Sequence, residues 1–493
     1  MSPSRIIQVS QFVRRRVQCK KNIFIFIFIF LTLHIFYFYF FSEPITISSS
    51  FYAPIEFASP PYYIAAFGLG VISILLGILG YFCTGVLYLA CRKRRNDSRL
   101  IKTVEEGTRP EINISDVELF PRPIIVNHLK TIFQPAKDQS RYYTVCGGHG
   151  TGKTTLIRLA SREVGRGVVY VDVPPFVNDF GEAFGEAINF AFEEDISFNN
   201  QLRRKLGSTD NNPKWVRALK AFQHAAKAYK VKYDRPMVIV YDNVSRLDPE
   251  VIRILQNSAK DNADSQTYIA VFVSSEGSVP KIMEKNSSYS RASNRPIEIG
   301  DLTKEESIEY LVDKRKIKEE AANSLYELVG GRIVDLKFVA DDFLSGQAFK
   351  GIKQAILSIT EKKLKSAQIY PKQKYHKVAC QIINSLLTIK ELEYRKYLQF
   401  FDNVEEADEV LEKNVFAYHP GKNVVTFQSQ SVELYIRTEA DDFGVKLIDL
   451  NSADEDNATT SNQMDTIIQE EYPPITEEPS HQHPSNLNSS REN

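Results

Sequence analysis

Residues 147–155 of the chain read GGHGTGKTT, directly after the apolar run Arg141–Cys146 and directly before a stretch with helical periodicity, LIRLASREV. This is the pattern G-x-x-x-x-G-K-T in its required place between a strand and a helix. Its glycines let successive backbone N–H groups turn inward around phosphate oxygens at a helix N-terminus. We therefore predict a phosphate-binding loop, called the P-loop below, that consists of Gly147, Gly148, His149, Gly150, Thr151, Gly152, Lys153, Thr154 and Thr155.

A nucleotide and its metal need further groups beside this loop. Lys153 is expected to reach the β and γ phosphates, and the Thr154 hydroxyl is expected to bind Mg²⁺. The uncharged run Met237–Tyr241 ends at Asp242. That order places a carboxylate at the C-terminal end of a buried parallel strand, where ligands bind in open α/β sheets. The expected cofactors are thus ATP and Mg²⁺, with Thr154 and Asp242 as the protein's metal ligands.

Strand and helix patterns alternate around these motifs. Gly167–Val173 and Tyr268–Ser275 are apolar and strand-like, whereas Gly181–Glu194 and Pro249–Ala259 have helical periodicity. Such alternation predicts an α/β fold with a doubly wound, mostly parallel sheet. We assign this core to residues 115–300.

Two smaller modules are expected after the core. Thr303 and Glu306 have the spacing of a capping box, and helical periodicity continues from there, which predicts a helical lid over residues 301–366. Residues 367–440 contain helices and two strand-like runs around Pro420–Gly421, which suggests a winged-helix module. A basic stretch lies nearby, so nucleic-acid binding is possible, but we favour a solvated surface because residues 96–438 carry a net charge of only +3. The basic residues are Lys362, Lys363, Lys365, Lys372, Lys374 and Lys377.

The ordered set of motifs resembles the AAA+ and STAND superfamily of P-loop ATPases over about residues 115–440. The segment Phe120–Leu129 is similar to the one that packs on adenine in that superfamily. Ser274 or Ser275 stands where the family has a polar sensor of the γ-phosphate, and we chose Ser275 as the site residue. Arg332, in a G-G-R turn, resembles the second sensor. The resemblance implies that Lys153, Asp242, Ser275 and Arg332 act together on ATP.

The pair Asp242–Asn243, the run Gly300–Leu311 and the apolar N-terminal segments are more narrowly similar to the mitochondrial escape protein family of inner-membrane ATPases. Hydrolysing members of the superfamily usually place a carboxylate where this chain has Asn243. An amide can orient water but cannot accept its proton. The chain is therefore either an ATPase or a nucleotide-dependent switch that scarcely hydrolyses. Possible substitute carboxylates are Asp172, Asp248 and Glu276, and possible arginine fingers for a neighbouring copy in a homo-oligomer are Arg291 and Arg295.

Composition excludes several classes. The 61 basic and 61 acidic residues cancel, so the chain is not a nucleic-acid-binding polycation, and five cysteines in 493 residues do not make a disulfide scaffold. The charge is unevenly placed: residues 1–95 carry +8 and residues 439–493 carry −11. The last part, residues 451–493, is polar and acidic and is expected to be disordered.

Two apolar runs indicate a membrane hairpin. Residues 23–41 and residues 62–90 contain no charged side chain and are long enough to span a bilayer as helices. No Lys or Arg occurs between Lys21 and Arg92, while the basic segment 1–22 and Arg92–Arg95 flank the pair. The positive-inside rule then places both termini and the ATPase domain in the cytoplasm. A cleaved signal peptide and a mitochondrial presequence, with an inner-membrane location, are the alternatives.

Overall fold

The computed structural model describes residues 61–192, 212–275, 278–293 and 295–445. The basic N-terminal segment 1–22, the first apolar run 23–41, the tail 451–493 and the candidate Glu276 lie outside these described residues. The chain divides into two compact units, Met1–Gly85 and Val86–Asn493. Everything below on the sheet, the lid and the C-terminal module concerns the second unit.

A five-stranded parallel sheet forms the centre of the core. Its strands follow the order β2-β3-β4-β1-β5. The predicted parallel α/β fold is thereby confirmed, and the one strand that the sequence did not reveal, β5, has only two residues. The bounds are β1 Tyr143–Cys146, β2 Val168–Asp172, β3 Met237–Asp242, β4 Tyr268–Val273 and β5 Ile297–Glu298.

Helices cover both faces of this sheet, as the alternation of its side chains requires. In β3, Val238 and Val240 join the cluster beneath α2 and α3, whereas Ile239 and Tyr241 join the cluster beneath α4, α5 and α6. The expected helix over 181–194 is shorter, because Asn189 takes a φ of 53°. The helices are α1 Pro61–Glu106, α2 Pro123–Phe133, α3 Lys153–Val164, α4 Phe180–Ala187, α5 Lys214–Tyr233, α6 Pro249–Asp264 and α7 Ser278–Glu284.

Helix α1 includes the second apolar run. Its C-terminal end packs into the core through Leu100 and Val104. Among the residues that the structure describes, no helix has a stretch long and apolar enough to cross a membrane. The predicted pair of spans is therefore not confirmed.

The lid begins at the predicted capping box. The Thr303 hydroxyl accepts a hydrogen bond from the Glu306 N–H at 3.2 Å, and the Glu306 carboxylate accepts one from the Thr303 N–H at 3.0 Å. The lid helices are α8 Lys304–Glu309, α9 Glu319–Val329, α10 Ile333–Leu344 and α11 Phe349–Ser366, with a π-helical turn at Tyr310–Lys314. They enclose an apolar core of their own.

Residues 367–440, called the C-terminal module below, pack around a small antiparallel sheet of order β6-β8-β7. The winged-helix assignment stays a prediction. Part of the basic stretch is paired with acids, since Lys365 contacts Glu361 and Lys374 contacts Glu406 and Glu409. The elements are α12 His376–Ile389, β6 Leu392–Glu393, α13 Tyr394–Leu398, α14 Val404–Glu412, β7 Phe416–His419, β8 Val424–Phe427 and α15 Gln430–Thr438.

Candidate functional site

The P-loop connects β1 to α3 and depends on glycine conformations. Gly150 and Gly152 have φ values of 80° and 84°, which other residues rarely adopt. Gly152 is the N-cap of α3, so the helix starts at Lys153 and its free N–H groups face the loop. His149 lies exposed at the tip of the loop, and Thr155 is half-buried in the first turn of α3.

Lys153 points back into its own loop. Its side chain is buried, and its Nζ donates to the Gly148 carbonyl oxygen and, at 3.4 Å, to the Thr151 hydroxyl. Thr151 Oγ1 also donates to Gly148 O at 3.1 Å. Burial lowers the pKa of Lys153 to about 8, and the negative charge of Asp242 opposes that shift. The ammonium group is thus held by neutral oxygens, which bound phosphates would replace.

The two predicted metal ligands lie together at the end of β3. Asp242 is 1% exposed, and the Thr154 side chain hydrogen bonds to its carboxylate. The Tyr170 hydroxyl donates to Asp242 Oδ2 at 2.8 Å, and the Asn243 N–H donates to Oδ1 at 2.8 Å. Burial raises the pKa of Asp242, while these hydrogen bonds oppose the rise.

This donor set fits Mg²⁺ bound with a nucleotide. Mg²⁺ usually takes one or two protein oxygens and completes its shell with phosphate oxygens and water. Thr154, half-buried in the first turn of α3, offers a hydroxyl, and the buried Asp242 at the end of β3 offers a carboxylate. In the described part of the chain, no cluster of three or more His, Cys, Asp or Glu side chains offers a closed protein site for another metal.

Asn243 is held beside the metal ligands rather than within the P-loop. It adopts a left-handed conformation with φ 60°, and its Nδ2 donates to Asp172 Oδ1 at 2.8 Å. Asp172 and Asp242 are register partners at the carboxyl ends of β2 and β3. At the end of β4, Ser274 is fully buried and Ser275 is half-buried. Ser275 lines a cavity that also reaches Gly147 and Gly148.

The lid meets the P-loop through the start of α10. Arg332, the N-cap residue of α10, is 8% exposed and donates to Asp301 Oδ1 and Oδ2 at 3.1 and 3.2 Å. The Val334 N–H donates to the Gly150 carbonyl oxygen at 3.3 Å. A Cβ on Gly148 would lie 3.1 Å from Arg332 Nη2. The predicted second sensor is thus already at the P-loop.

The C-terminal module also reaches the P-loop, which the sequence did not reveal. Arg332 Nη2 donates to the Gln428 carbonyl oxygen, and a Cβ on Gly148 would lie 3.1 Å from Gln428 Nε2. Nothing in the local pattern after β8 marks Gln428 as a site residue. Between the core and this module lies a cavity of about 510 Å³, whose walls include Gly148, Ser275, Lys281 and Gln428.

Tyr170 and Arg158 were also not predicted. Arg158 contacts the Asp172 carboxylate at the end of β2, and Tyr170 contacts the Asp242 carboxylate at the end of β3. The sequence does hold one indication of Tyr170. It is the one aromatic residue in the strand Val168–Asp172, and it lies two residues before Asp172, on the same face of the strand.

The two candidate fingers differ in their surroundings. Arg291 forms an ion pair with Asp264 of the same chain. Arg295 lies exposed just before β5. Among the described residues, Arg291 has a carboxylate partner and Arg295 has none.

Comparisons with known proteins agree with this geometry. A family model described as AAA domain matches residues 136–282, which include the P-loop, β2, β3 and β4. No curated protein matches the chain closely enough to count.

The solved structures that match the chain have low sequence identity and low TM-scores. A Walker-type ATPase of Pyrococcus abyssi is 14% identical, with a TM-score of 0.41, 65% of this chain covered and 96% of that one. Cdc6p from Pyrobaculum aerophilum is 13% identical, with a TM-score of 0.33 and coverages of 66% and 98%. The ORC2 protein of Aeropyrum pernix, in ADPNP–ADP complexes, is 10% identical, with a TM-score of 0.38 and coverages of 67% and 98%.

The parallel sheet, the glycine conformations of the loop and the family match all concern the same segment. Residues 136–282 thus match an AAA domain model and lie within an α/β fold of the P-loop nucleoside triphosphatase class.

Proposed function

We propose that this protein is an ATPase that binds Mg-ATP on the P-loop and couples its nucleotide state to the position of the lid and the C-terminal module. The observation that carries the proposal is the meeting of three parts of the chain at one glycine. Arg332 of the lid and Gln428 of the C-terminal module both lie against Gly148 of the P-loop. A phosphate bound there would contact groups from all three parts.

The residues of the chain have separate tasks in this proposal. Lys153 exchanges its carbonyl and hydroxyl partners for phosphate oxygens, and the backbone N–H groups at the start of α3 bind the same oxygens. Thr154 and Asp242 hold the metal, which when bound neutralises developing charge on the phosphates. Arg332 retains Nη1 for the γ-phosphate while Nε and Nη2 hold Asp301. Ser275, at the end of β4, lies beside the same space.

Phosphate release and ATP binding test this proposal directly. Replacing Lys153 by Ala should reduce ATP affinity by roughly tenfold or more and reduce phosphate release to background. Lys350→Ala, an exposed change on α11, is the matched control and should leave both unchanged. Equal phosphate release by the wild type and Lys153→Ala would refute the ATPase proposal.

A slowly hydrolysing switch is the second candidate, and the placement of Asn243 favours it. The side chain after Asp242, the proposed metal ligand, is a neutral amide, which cannot take a proton from water. Its Nδ2 also donates to Asp172. In that case ATP should bind tightly and stay intact for many minutes under single-turnover conditions. Rapid multiple turnover by the wild type would exclude this candidate.

Membrane attachment through the apolar run 62–90 is a further part of the proposal, and its support is the sequence alone. The run has twenty-nine residues without a charge and ends before Arg92–Arg95. We expect the full chain to stay with membranes after alkaline carbonate extraction and a chain beginning at Asn96 to be released. Release of the full chain would contradict attachment. Imaging with mitochondrial and endoplasmic reticulum markers would separate the cytoplasm-facing location from the inner-membrane alternative.

A further inference from the structure

A closed ring of hydrogen bonds includes the carboxylate of Asp242, the proposed metal ligand. The Tyr170 hydroxyl donates to Asp242 at 2.8 Å and accepts from Arg158 Nε at 2.9 Å. Arg158 Nη2 then donates to Asp172 Oδ2 at 2.8 Å. Asp172 Oδ1 accepts from Asn243 Nδ2 at 2.8 Å, and the Asn243 N–H closes the ring on Asp242 Oδ1 at 2.8 Å. Each member of the ring orients the next.

The chemistry of this ring fixes which way the Asn243 amide points. An ionised carboxylate can only accept hydrogen bonds, and only the NH₂ side of an amide can donate. Asp172 also forms ion pairs with Arg158 at 2.8 Å and with Arg246 at 3.9 Å. Asn243 must therefore turn Nδ2 toward Asp172, and its Oδ1 points away from that carboxylate.

The same contact explains why an amide, and not a second acid, follows Asp242. A carboxylate at position 243 in this conformation would face Asp172 at hydrogen-bonding distance, with like charges and no donor between them. Asp242 lies beside Asp172 in the sheet register, so a third negative charge would also disturb the metal ligand. An acid at position 172 and an amide at position 243 form a matched pair.

We propose that Asp172 is a positioning residue for the ATPase reaction, which through its hydrogen bond to Asn243 aims the amide oxygen at the attacking water. The inference rests on the proposed function. In related ATPases a carboxylate at the position of Asn243 orients the water, and here Asn243, held by Asp172, is proposed to do so. Asp172 itself does not touch the nucleotide in this proposal. The water is oriented by Asn243 Oδ1, and its proton leaves to the phosphate or to solvent.

An exchange of the two side chains tests the pair without changing its volume. In Asp172→Asn, Arg158 donates to the oxygen of the new amide, so the nitrogen of that amide faces Asn243. Two amide nitrogens cannot hydrogen bond to each other, so the Asn243 side chain must turn its Oδ1 toward residue 172 and away from the water. In Asn243→Asp, two carboxylates face each other. We expect each single change to lower kcat by roughly ten- to hundredfold, with KM for ATP changed by less than about twofold.

The double variant Asp172→Asn, Asn243→Asp should recover. The new amide at position 172 then donates to the new carboxylate at position 243, which restores the hydrogen bond with its polarity reversed. We expect kcat within about threefold of the wild type, and the unfolding temperatures of the ATP-free singles, lowered by a few degrees, should be restored as well. Asp261→Asn, a change of an exposed acid on α6, is the matched control and should behave as wild type.

The outcomes separate this inference from the proposed function. If phosphate release depends on Lys153 but Asp172→Asn leaves kcat unchanged, the inference is wrong and the ATPase proposal stands. A double variant whose kcat falls by the product of the two single effects would also overturn it. If the wild type releases no phosphate above Lys153→Ala, the hydrolysis proposal fails first. In that case the unfolding temperatures still test the pair. If the double variant loses the sum of the two single losses, Asp172 and Asn243 are not a matched pair.

Discussion

Lys153 is a buried cation whose hydrogen-bond partners are the neutral oxygens of Gly148 and Thr151. Its pKa of about 8, lowered from 10.5, means that a substantial fraction is uncharged slightly above neutral pH. Bound phosphates would raise that pKa again because they favour the charged form. ATP binding must then take up protons, and affinity must fall as the pH rises through about 8.

Calorimetry at pH 8.5 can measure this uptake. ATP is fully deprotonated there, so the binding enthalpy in two buffers of different ionisation enthalpy reports protons taken up by the protein. We expect uptake of a large part of one proton. In Lys153→Arg the cation stays charged at every accessible pH, so the uptake should vanish even where ATP still binds. Proton release by the wild type, or no exchange, would contradict the prediction.

The site residues differ in how far the sequence could predict them. Lys153, Thr154 and Asp242 belong to motifs whose spacing follows from the geometry of a strand, a loop and a helix, so local pattern was sufficient. Tyr170 and Gln428 act through contacts between residues 72 and 280 positions apart in the chain, Tyr170–Asp242 and Gly148–Gln428. Arg158 contacts Asp172, which lies on a different secondary-structure element. Such contacts follow from tertiary packing, which no local periodicity reports.

At the scale of elements, the joint between core and lid is unusually tight. The Leu302 N–H donates to the Gly331 carbonyl oxygen at 2.8 Å. A Cβ on Gly331 would lie 1.9 Å from the Leu302 carbonyl oxygen, closer than any real contact. This glycine therefore allows the turn before α10 to lie directly on the segment that enters α8, which sets where Arg332 stands.

Gly331→Ala should consequently push the lid away from the core. We expect a loss of about 1–3 kcal/mol in the free energy of unfolding, as for other overpacked sites, together with weaker ATP binding. Urea denaturation and equilibrium binding measure the two effects. Gly351→Ala, on α11, is the matched control, since a Cβ there would meet nothing within 4 Å. It should be neutral or slightly stabilising. Equal behaviour of the two variants would refute the role of the joint.

The sequence predicted elements well where burial imposed a pattern. Strand β3 was placed at Met237–Asp242 because a strand buried on both faces has no polar residues until it ends. The capping box at Thr303 was found because both of its hydrogen bonds are local. Strand β5 was missed, since two residues are too few to display a period, and its place beside β1 is set by pairing alone.

On the scale of the whole second unit, a cluster of charges and rings fixes the C-terminal module to the core. Lys281 of α7 donates to the Tyr394 hydroxyl at 2.8 Å and to Asp408 Oδ1 at 2.9 Å. Its ammonium also lies 4.2 and 4.5 Å from the ring centroids of Tyr394 and Tyr418. His419 and Glu298 form a second contact between the two parts.

Removing this charge should loosen the module. In Lys281→Met the side chain keeps its bulk but loses its ion pair and cation–π contacts, which together stabilise the docked state by about 1–3 kcal/mol. Hydrogen exchange in β7 and β8 should become faster, and bound ATP should dissociate faster because Gln428 leaves Gly148. Lys285→Met, an exposed neighbour, is the matched control. Unchanged exchange in Lys281→Met would rule out this docking contact.

Self-association gives a further test at this scale. If Arg295 completes the site of a neighbouring copy, the specific activity should rise with protein concentration, and Arg295→Ala should abolish that rise. Arg291→Ala should instead act through its lost pairing with Asp264 and leave the concentration dependence intact. A specific activity that does not depend on concentration in the wild type would argue against a shared site.

The contact between Gly148 and Gln428 also has a consequence for the order of biosynthesis. The P-loop and the sheet residues 136–282 leave the ribosome long before Gln428, which lies 280 positions after Gly148 in the chain. If the loop binds a nucleotide as proposed, a nascent chain would be able to do so before the C-terminal module supplies its wall of the site. A chain that ends between residues 282 and 428 would keep the phosphate-binding motif but leave one side of the proposed nucleotide site open to solvent.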